Sequence, residues 1–233
     1  LNPIALQRRA PVWLFDLDDT LHDASTAAMP GLHVSFGLYI EQHLQLTKDE
    51  ADALRRRYWL RYGATLLGLV KHHGVDARHF LHHTHLLPGL EQAVRGHAHD
   101  FAALRRLRGR KWILTNAPRA YAERVLGALG IRRLFERVIS IEDMRMFGQL
   151  RPKPDARMLR RVLARWRLPA ARCVLVEDTL VHQKAARRVG MKTVWMQRWS
   201  RAAAGATGKR WSRQPPYVDI QARHLAVLCR RRP

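Results

Sequence analysis

The chain has 233 residues, 47% of them hydrophobic, and its 42 Lys and Arg against 19 Asp and Glu give a formal charge of +23. That apolar content excludes a disordered tail, and a chain of this length buries roughly 70–75% of its unfolded surface without help from disulfides. Two cysteines, Cys173 and Cys229, argue against a disulfide scaffold or a cysteine-based zinc site; no apolar run approaches the ~18 residues of a membrane span and Leu1 to Pro11 lacks a signal-peptide stretch, so the expected setting is a reducing cytoplasm with no membrane partner.

In chain order, Val12-Trp13-Leu14-Phe15 is a short apolar run ending in Asp16, the pattern of a strand buried on both faces. From about His22 to Asp100 no clear strand follows, but helix signals do. Thr47-Lys-Asp-Glu50 is a capping box opening a helix toward Tyr62, and Asp76 caps another through His85. Strands resume at Lys111–Thr115, at the weaker Val138–Ile141, at Arg172–Glu177 and at Lys192–Met196. Helices separate them over Arg119–Leu129, ending at Gly130; Asp155–Trp166, opened by Pro154; and Thr179–Val189, ending at Gly190. Such alternation predicts an α/β fold, a Rossmann-like doubly wound parallel sheet with an inserted all-helical cap over its C-terminal edge. The expected division is a catalytic core over 1–21 and 101–200, a helical cap over 22–100 and a basic C-terminal extension over 201–233, poor in large aliphatics at its start.

Charge is uneven along this plan. Residues 1–104 carry 10 basic and 11 acidic side chains, whereas 105–233 carry 32 and 8. A field of that sign concentrates phosphates, nucleotides and RNA, but it is screened by salt and names no substrate, so nucleic acid is expected only through non-specific electrostatics. Nothing in the sequence specifies an oligomeric state.

The chemistry gathers at strand ends. Asp16-Leu17-Asp18-Asp19-Thr20 places three acidic residues just past a buried strand, and in extended chain Asp16 and Asp18 point to one side while Asp19 points away. Such a pair can hold a hard cation and divide the tasks of nucleophile and proton shuttle, although a polar turn with a helix cap has the same composition. Thr115-Asn116 offers a hydroxyl, an amide and backbone N–H groups to phosphate oxygens. Lys153, between Pro152 and Pro154, offers an ammonium, and Asp178, after Glu177, can complete a magnesium site.

The ordered set Asp-x-Asp, Thr-Asn, Lys-Pro and Glu-Asp, each at a strand terminus, resembles the haloacid dehalogenase superfamily over nearly the whole chain. The resemblance implies a magnesium-dependent enzyme in which Asp16 attacks phosphorus and Asp18 protonates the leaving oxygen, then deprotonates the hydrolytic water. Thr115, Asn116 and Lys153 would bind phosphate, with magnesium held by Asp16, the Asp18 backbone carbonyl and Asp178. Asp18 points to phosphoryl transfer, since members that displace halide lack this residue. Tyr62-Gly-Ala-Thr-Leu-Leu-Gly-Leu69, Thr115-Asn-Ala-Pro-Arg-Ala-Tyr-Ala122 and Glu177-Asp-Thr-Leu-Val-His-Gln-Lys-Ala-Ala186 look like the pyrimidine 5′-nucleotidase branch, whose substrates include UMP and CMP. One departure is His182, where the superfamily usually carries Asp or Asn to hold a metal-bound water.

In the cap, Tyr58 and Tyr62 can stack on a nucleobase and Arg61 can steer an anion, or all three can simply pack and solvate the cap helix. The histidines from 72 to 85 are expected to pack or face solvent. Two other functions fit the composition: the same chemistry on another small phosphate, such as a sugar phosphate or phosphoglycolate, and a basic RNA-binding protein with vestigial phosphatase motifs.

Overall fold

The computed structural model describes residues 10–199 and 213–230. Six parallel strands form one sheet: Val12–Phe15 (β1), Arg110–Leu114 (β2), Arg137–Ile139 (β3), Cys173–Glu177 (β6), Lys192–Met196 (β7) and Ile220–Ala222 (β8), in the order β3-β2-β1-β6-β7-β8. Between β3 and β6, Arg145–Met146 (β4) and Gln149–Leu150 (β5) make a small antiparallel hairpin. Strand β1 lies between β2 and β6, so the chain winds away from it in both directions, and its C-terminal end is the crevice where such sheets bind ligands.

Alternation along the strands divides the core into two layers. Trp13, Phe15, Ile113, Val174, Val176 and Val194 face one side, against Ala98–Arg106 (α7), Arg119–Ala128 (α8) and Ala226–Arg230 (α11). Val12, Leu14, Trp112, Leu114, Cys173 and Leu175 face the other, against Ala156–Arg165 (α9) and Leu180–Arg188 (α10). Gly109 permits the entry into β2, since a Cβ there would meet the Pro11 carbonyl oxygen at 2.3 Å, and its φ of +108° suits only glycine.

Between β1 and β2 come Ala24–Ala27 (α1), Met29–Leu44 (α2), Lys48–Tyr62 (α3), Thr65–His73 (α4), Ala77–Thr84 (α5) and Leu90–Ala93 (α6). Helices α2 to α5 own a separate apolar cluster of Tyr39, Ile40, Leu54, Tyr58, Leu66, Leu69, Phe80 and Leu81, which Ile141 joins from the end of β3. The capping box forms with both bonds, Thr47 Oγ1 accepting from the Glu50 N–H and Glu50 accepting from the Thr47 N–H. Tyr58 fits only because residue 68 is glycine; a Cβ there would meet Tyr58 Cγ at 2.2 Å. Leu87, Leu90 and Val94, by contrast, pack with the sheet-face layer.

Of the basic extension, residues 201–212 and 231–233 lie outside the described ones. The part that is described adds β8 to the sheet edge and α11 to one face, with Ile220, Ala222, Leu225 and Leu228 buried. Asp100 secures it, accepting from the Leu225 N–H at 2.6 Å and from Arg198 Nε at 2.9 Å. Its apolar positions at the strand are too few, and too interleaved with Asp219 and Gln221, to stand out as a strand in sequence. Among the described residues, no helix is long and apolar enough to cross a membrane.

Candidate active site

Of the polar residues predicted at strand ends, Asp16, Lys153, Glu177 and Asp178 meet. Just past β1 the backbone N–H of Asp16 still bonds the Val176 carbonyl at 2.9 Å, so the Asp16 side chain emerges level with the end of β6. Lys153 Nζ lies 2.6 Å from Asp16 Oδ1 and 2.7 Å from Glu177 Oε2, and all three side chains are buried. Thr20 Oγ1 donates to the other Asp16 oxygen at 3.3 Å. Glu177 also has His182 Nδ1 at 3.1 Å, close enough for charge interaction but without hydrogen-bond geometry.

One ammonium thus serves two buried carboxylates, and the electrostatics follow. Burial would raise Glu177, but Lys153 and His182 outweigh it and hold the carboxyl well below the usual range. Burial would lower Lys153, but Asp16 and Glu177 hold it above its ordinary value. Asp16 is pushed up to about 8, by burial first and the Glu177 charge second, against the pull of Lys153. The mutual repulsion of the two carboxylates is therefore expressed as a raised proton affinity of Asp16. Oxygens of Asp16, Glu177 and Asp178 lie within 4.8 Å of one another, a hard-donor cluster whose uncompensated charge suits a divalent cation such as magnesium.

Asp18 stands apart from that cluster. Its Oδ1 accepts from Tyr121 Oη at 2.8 Å and from His22 Nε2 at 2.9 Å; a carboxylate can only accept, so the imidazole proton is on Nε2. Burial, together with the charge and hydrogen bond of Asp18, holds the Tyr121 phenol well above its ordinary range. Asp19 turns away as expected, with φ +53°, and its carboxylate accepts from Ser25 N–H at 2.8 Å and Ser25 Oγ at 2.6 Å. It serves the turn that carries the chain from β1 into α1.

The remaining sequence candidates divide. Thr115 is buried, and its hydroxyl accepts from the Ala117 N–H at 3.0 Å. The Asn116 amide is occupied at both ends by the Lys153 backbone, donating to its carbonyl at 3.0 Å and accepting from its N–H at 2.9 Å. Asn116 is thereby a strut that holds the Lys153 backbone in place. Asp178 is partly exposed, receives the Thr179 hydroxyl at 3.2 Å and has its carbonyl bonded by Trp195 Nε1 at 2.8 Å.

The cap candidates are engaged within the cap. Tyr58 is buried with its hydroxyl 2.7 Å from His73 Nε2, Tyr62 bonds His72 Nε2 at 2.5 Å, and Arg61 lies over the Tyr62 ring on an exposed face. Sequence reasoning missed His22, Tyr121 and His85. His22 is fully buried four residues after Asp18, and Tyr121 is in the first turn of α8. Both positions were readable as neighbours of motifs, but their side chains meet Asp18 only through the fold.

Comparison with known proteins follows the same lines. The family model described as haloacid dehalogenase-like hydrolase matches residues 12–190. The chain is similar to phosphate metabolism protein 8 of Saccharomyces cerevisiae, 28% identical over 135 residues; the match takes in 54% of this chain and 41% of that relative, so it spans about two-fifths of the relative's length. A HAD phosphatase from Thermococcus onnurineus superposes with a TM-score of 0.63 at 20% identity, covering 95% of this chain and 96% of that one. CbbY from Rhodobacter sphaeroides in complex with phosphate gives 0.60 at 17% identity, covering 94% and 96%. The L-2-haloacid dehalogenase of Xanthobacter autotrophicus gives 0.57 at 15%, covering 95% and 97%. One fold therefore carries proteins named for phosphate and for halide chemistry, and at these identities the likeness speaks of fold alone.

Proposed function

The chain belongs to the haloacid dehalogenase-like hydrolases, and from that premise we propose that it is a magnesium-dependent phosphomonoesterase working through an aspartyl-phosphate on Asp16. The observation that carries this reading is Asp18, a second carboxylate beside the nucleophile, held on one oxygen by two donors. Expulsion of halide needs no proton, whereas expulsion of an alkoxide from phosphorus does.

The steps follow from the residues. Asp16 attacks phosphorus in line and Asp18 gives its proton to the leaving oxygen. Asp18 then takes a proton from the water that opens the aspartyl-phosphate. Lys153, fixed through its backbone by Asn116 and through its ammonium by Asp16 and Glu177, offsets the charge of the incoming phosphate. Thr115 borders the same strand end. Asp16, Asp178 and the Asp18 backbone carbonyl would hold the metal, which when bound lowers the repulsion between a carboxylate nucleophile and a phosphate dianion.

Pyrimidine nucleoside 5′-monophosphates are the proposed substrates. The three stretches resembling the 5′-nucleotidase branch support this, with residues 22–100 acting as a cap and Tyr58, Arg61 and Tyr62 belonging to its recognition surface. A reducing cytoplasm suits the two free thiols, Cys173 and Cys229. Phosphate release from UMP, CMP, AMP, GMP, sugar phosphates and an aryl phosphate, with and without magnesium, tests the reading beside Asp16→Asn. Magnesium-dependent release favouring UMP and CMP, abolished in Asp16→Asn, is expected. Release only from other phosphates would overturn the substrate, and retention of more than a few per cent of activity in Asp16→Asn would remove the nucleophile.

A further inference from the structure

Resting on the phosphomonoesterase reading, we infer that Tyr121 and His22 are positioning residues for the acid/base Asp18, and that helix α8 ties their alignment to the seat of the cap. Both donors fall on the same oxygen of Asp18, at 2.8 and 2.9 Å, and come from separate parts of the chain, His22 from the turn after β1, four residues on, and Tyr121 from α8, 103 residues on. Two donors on Oδ1 fix the rotamer of a side chain that retains some exposure, and leave Oδ2 as the oxygen that exchanges a proton with substrate or water. His22 is fully buried beneath it, so this support has little room to move.

The link to the cap is on the same helix. His85, where the chain leaves α5, packs edge-on against the Tyr121 ring with centroids 5.8 Å apart. One turn further along α8, Arg124 donates to the carbonyl of Leu87 at 2.8 Å and of His85 at 3.4 Å, and pairs with Glu91 at 2.5 and 3.0 Å. Helix α8 thus grips the segment by which the chain returns from the helical insertion, with the residue that aligns Asp18 one turn away. A shift of that segment would move Tyr121, and with it the proton donor, so cap placement and proton transfer share one helix.

The test separates alignment of the acid from general damage through leaving-group dependence. The quantity kcat/KM reports the steps up to formation of the aspartyl-phosphate, in which an alkyl phosphate needs a proton on its leaving oxygen and 4-nitrophenyl phosphate does not. Tyr121→Phe is expected to lower kcat/KM at least about tenfold on UMP and glycerol phosphate, less than about threefold on 4-nitrophenyl phosphate, and to leave KM and the melting temperature nearly unchanged. His22→Leu is expected to show the same asymmetry, and His22→Gln, whose amide reaches a similar position, to recover much of the loss. In an Asp18→Asn background Tyr121→Phe should cost almost nothing more. Equal losses on both kinds of substrate, or an undiminished effect of Tyr121→Phe without Asp18, would overturn the positioning role alone. Wild-type protein inactive on every phosphate would overturn the phosphomonoesterase reading and this inference with it.

Discussion

The strand-end site and the helical cluster above it handle polar groups in opposite ways. At the strand ends Asp16, Lys153 and Glu177 are withdrawn from water and meet at 2.6–2.7 Å, so the ionisation of each is set by its partners and not by solvent. In the helical cluster the tyrosine hydroxyls pair with imidazoles, Tyr39 with His79, Tyr58 with His73 and Tyr62 with His72, and no buried carboxylate takes part. Water can replace much of what those pairs supply. The difference is one of tolerance: in the first region one exchanged atom leaves a buried charge unpaired, whereas in the second side chains can be exchanged without stranding a buried carboxylate or ammonium.

The sharpest way to break the comparison is Lys153→Ala. It leaves two buried carboxylates facing one another, and is expected to abolish turnover and to cost about 3–5 kcal/mol in urea denaturation. Adding Glu177→Gln should return part of that stability and none of the activity. A loss under 1 kcal/mol for the single variant would mean that the pocket admits water freely and that the contrast between the two regions is false.

His85 lies at the junction. Burial lowers its pKa to about 4, against the opposing charges of Asp18 and Glu142 and its bond to the Leu81 carbonyl. The unfolded chain protonates this imidazole near 6.5 and the native protein only near 4, so between those values the unfolded state binds more protons. Stability from this group is therefore complete above pH 6.5 and falls as pH drops toward 4, by roughly 2–3 kcal/mol. Denaturation curves at pH 7 and pH 4.5 should show His85→Phe losing less stability on acidification than the wild type; parallel losses would place the acid sensitivity elsewhere.

The smallest effect is expected from Tyr62→Phe, which removes a bond on the exposed side of the cap. Stability should change by less than about 0.5 kcal/mol and turnover of 4-nitrophenyl phosphate should hold, while KM for a nucleotide rises a few-fold. A loss in kcat on both substrates would instead place Tyr62 in the chemistry.

Much of this was legible before folding because it is written in short-range terms. Lys192–Met196 reads as a strand from its apolar run and is one to the residue, and Asp76 before α5 reads as a cap and accepts from the Arg78 N–H at 2.7 Å. Helix α2 escaped notice because its apolar residues are spread around the axis by Gly31, Gly37 and polar insertions, and β8 because it is three residues long. The contact of Asn116 with the Lys153 backbone was not legible, since nothing local to Thr115-Asn116 indicates that the loop at Lys153 will lie against it.

By itself, then, the sequence determined the alternation of strand and helix, the chemical identity of the groups at the strand ends and the family they belong to, because periodicity and motif act over a few residues. The tertiary structure alone decided which of those groups share a proton or a charge: Lys153 between Asp16 and Glu177, Tyr121 and His22 on one oxygen of Asp18, and α8 bound to the return from the cap. Those pairings join residues up to 137 positions apart, and their strength comes from the exclusion of water that only the assembled core provides.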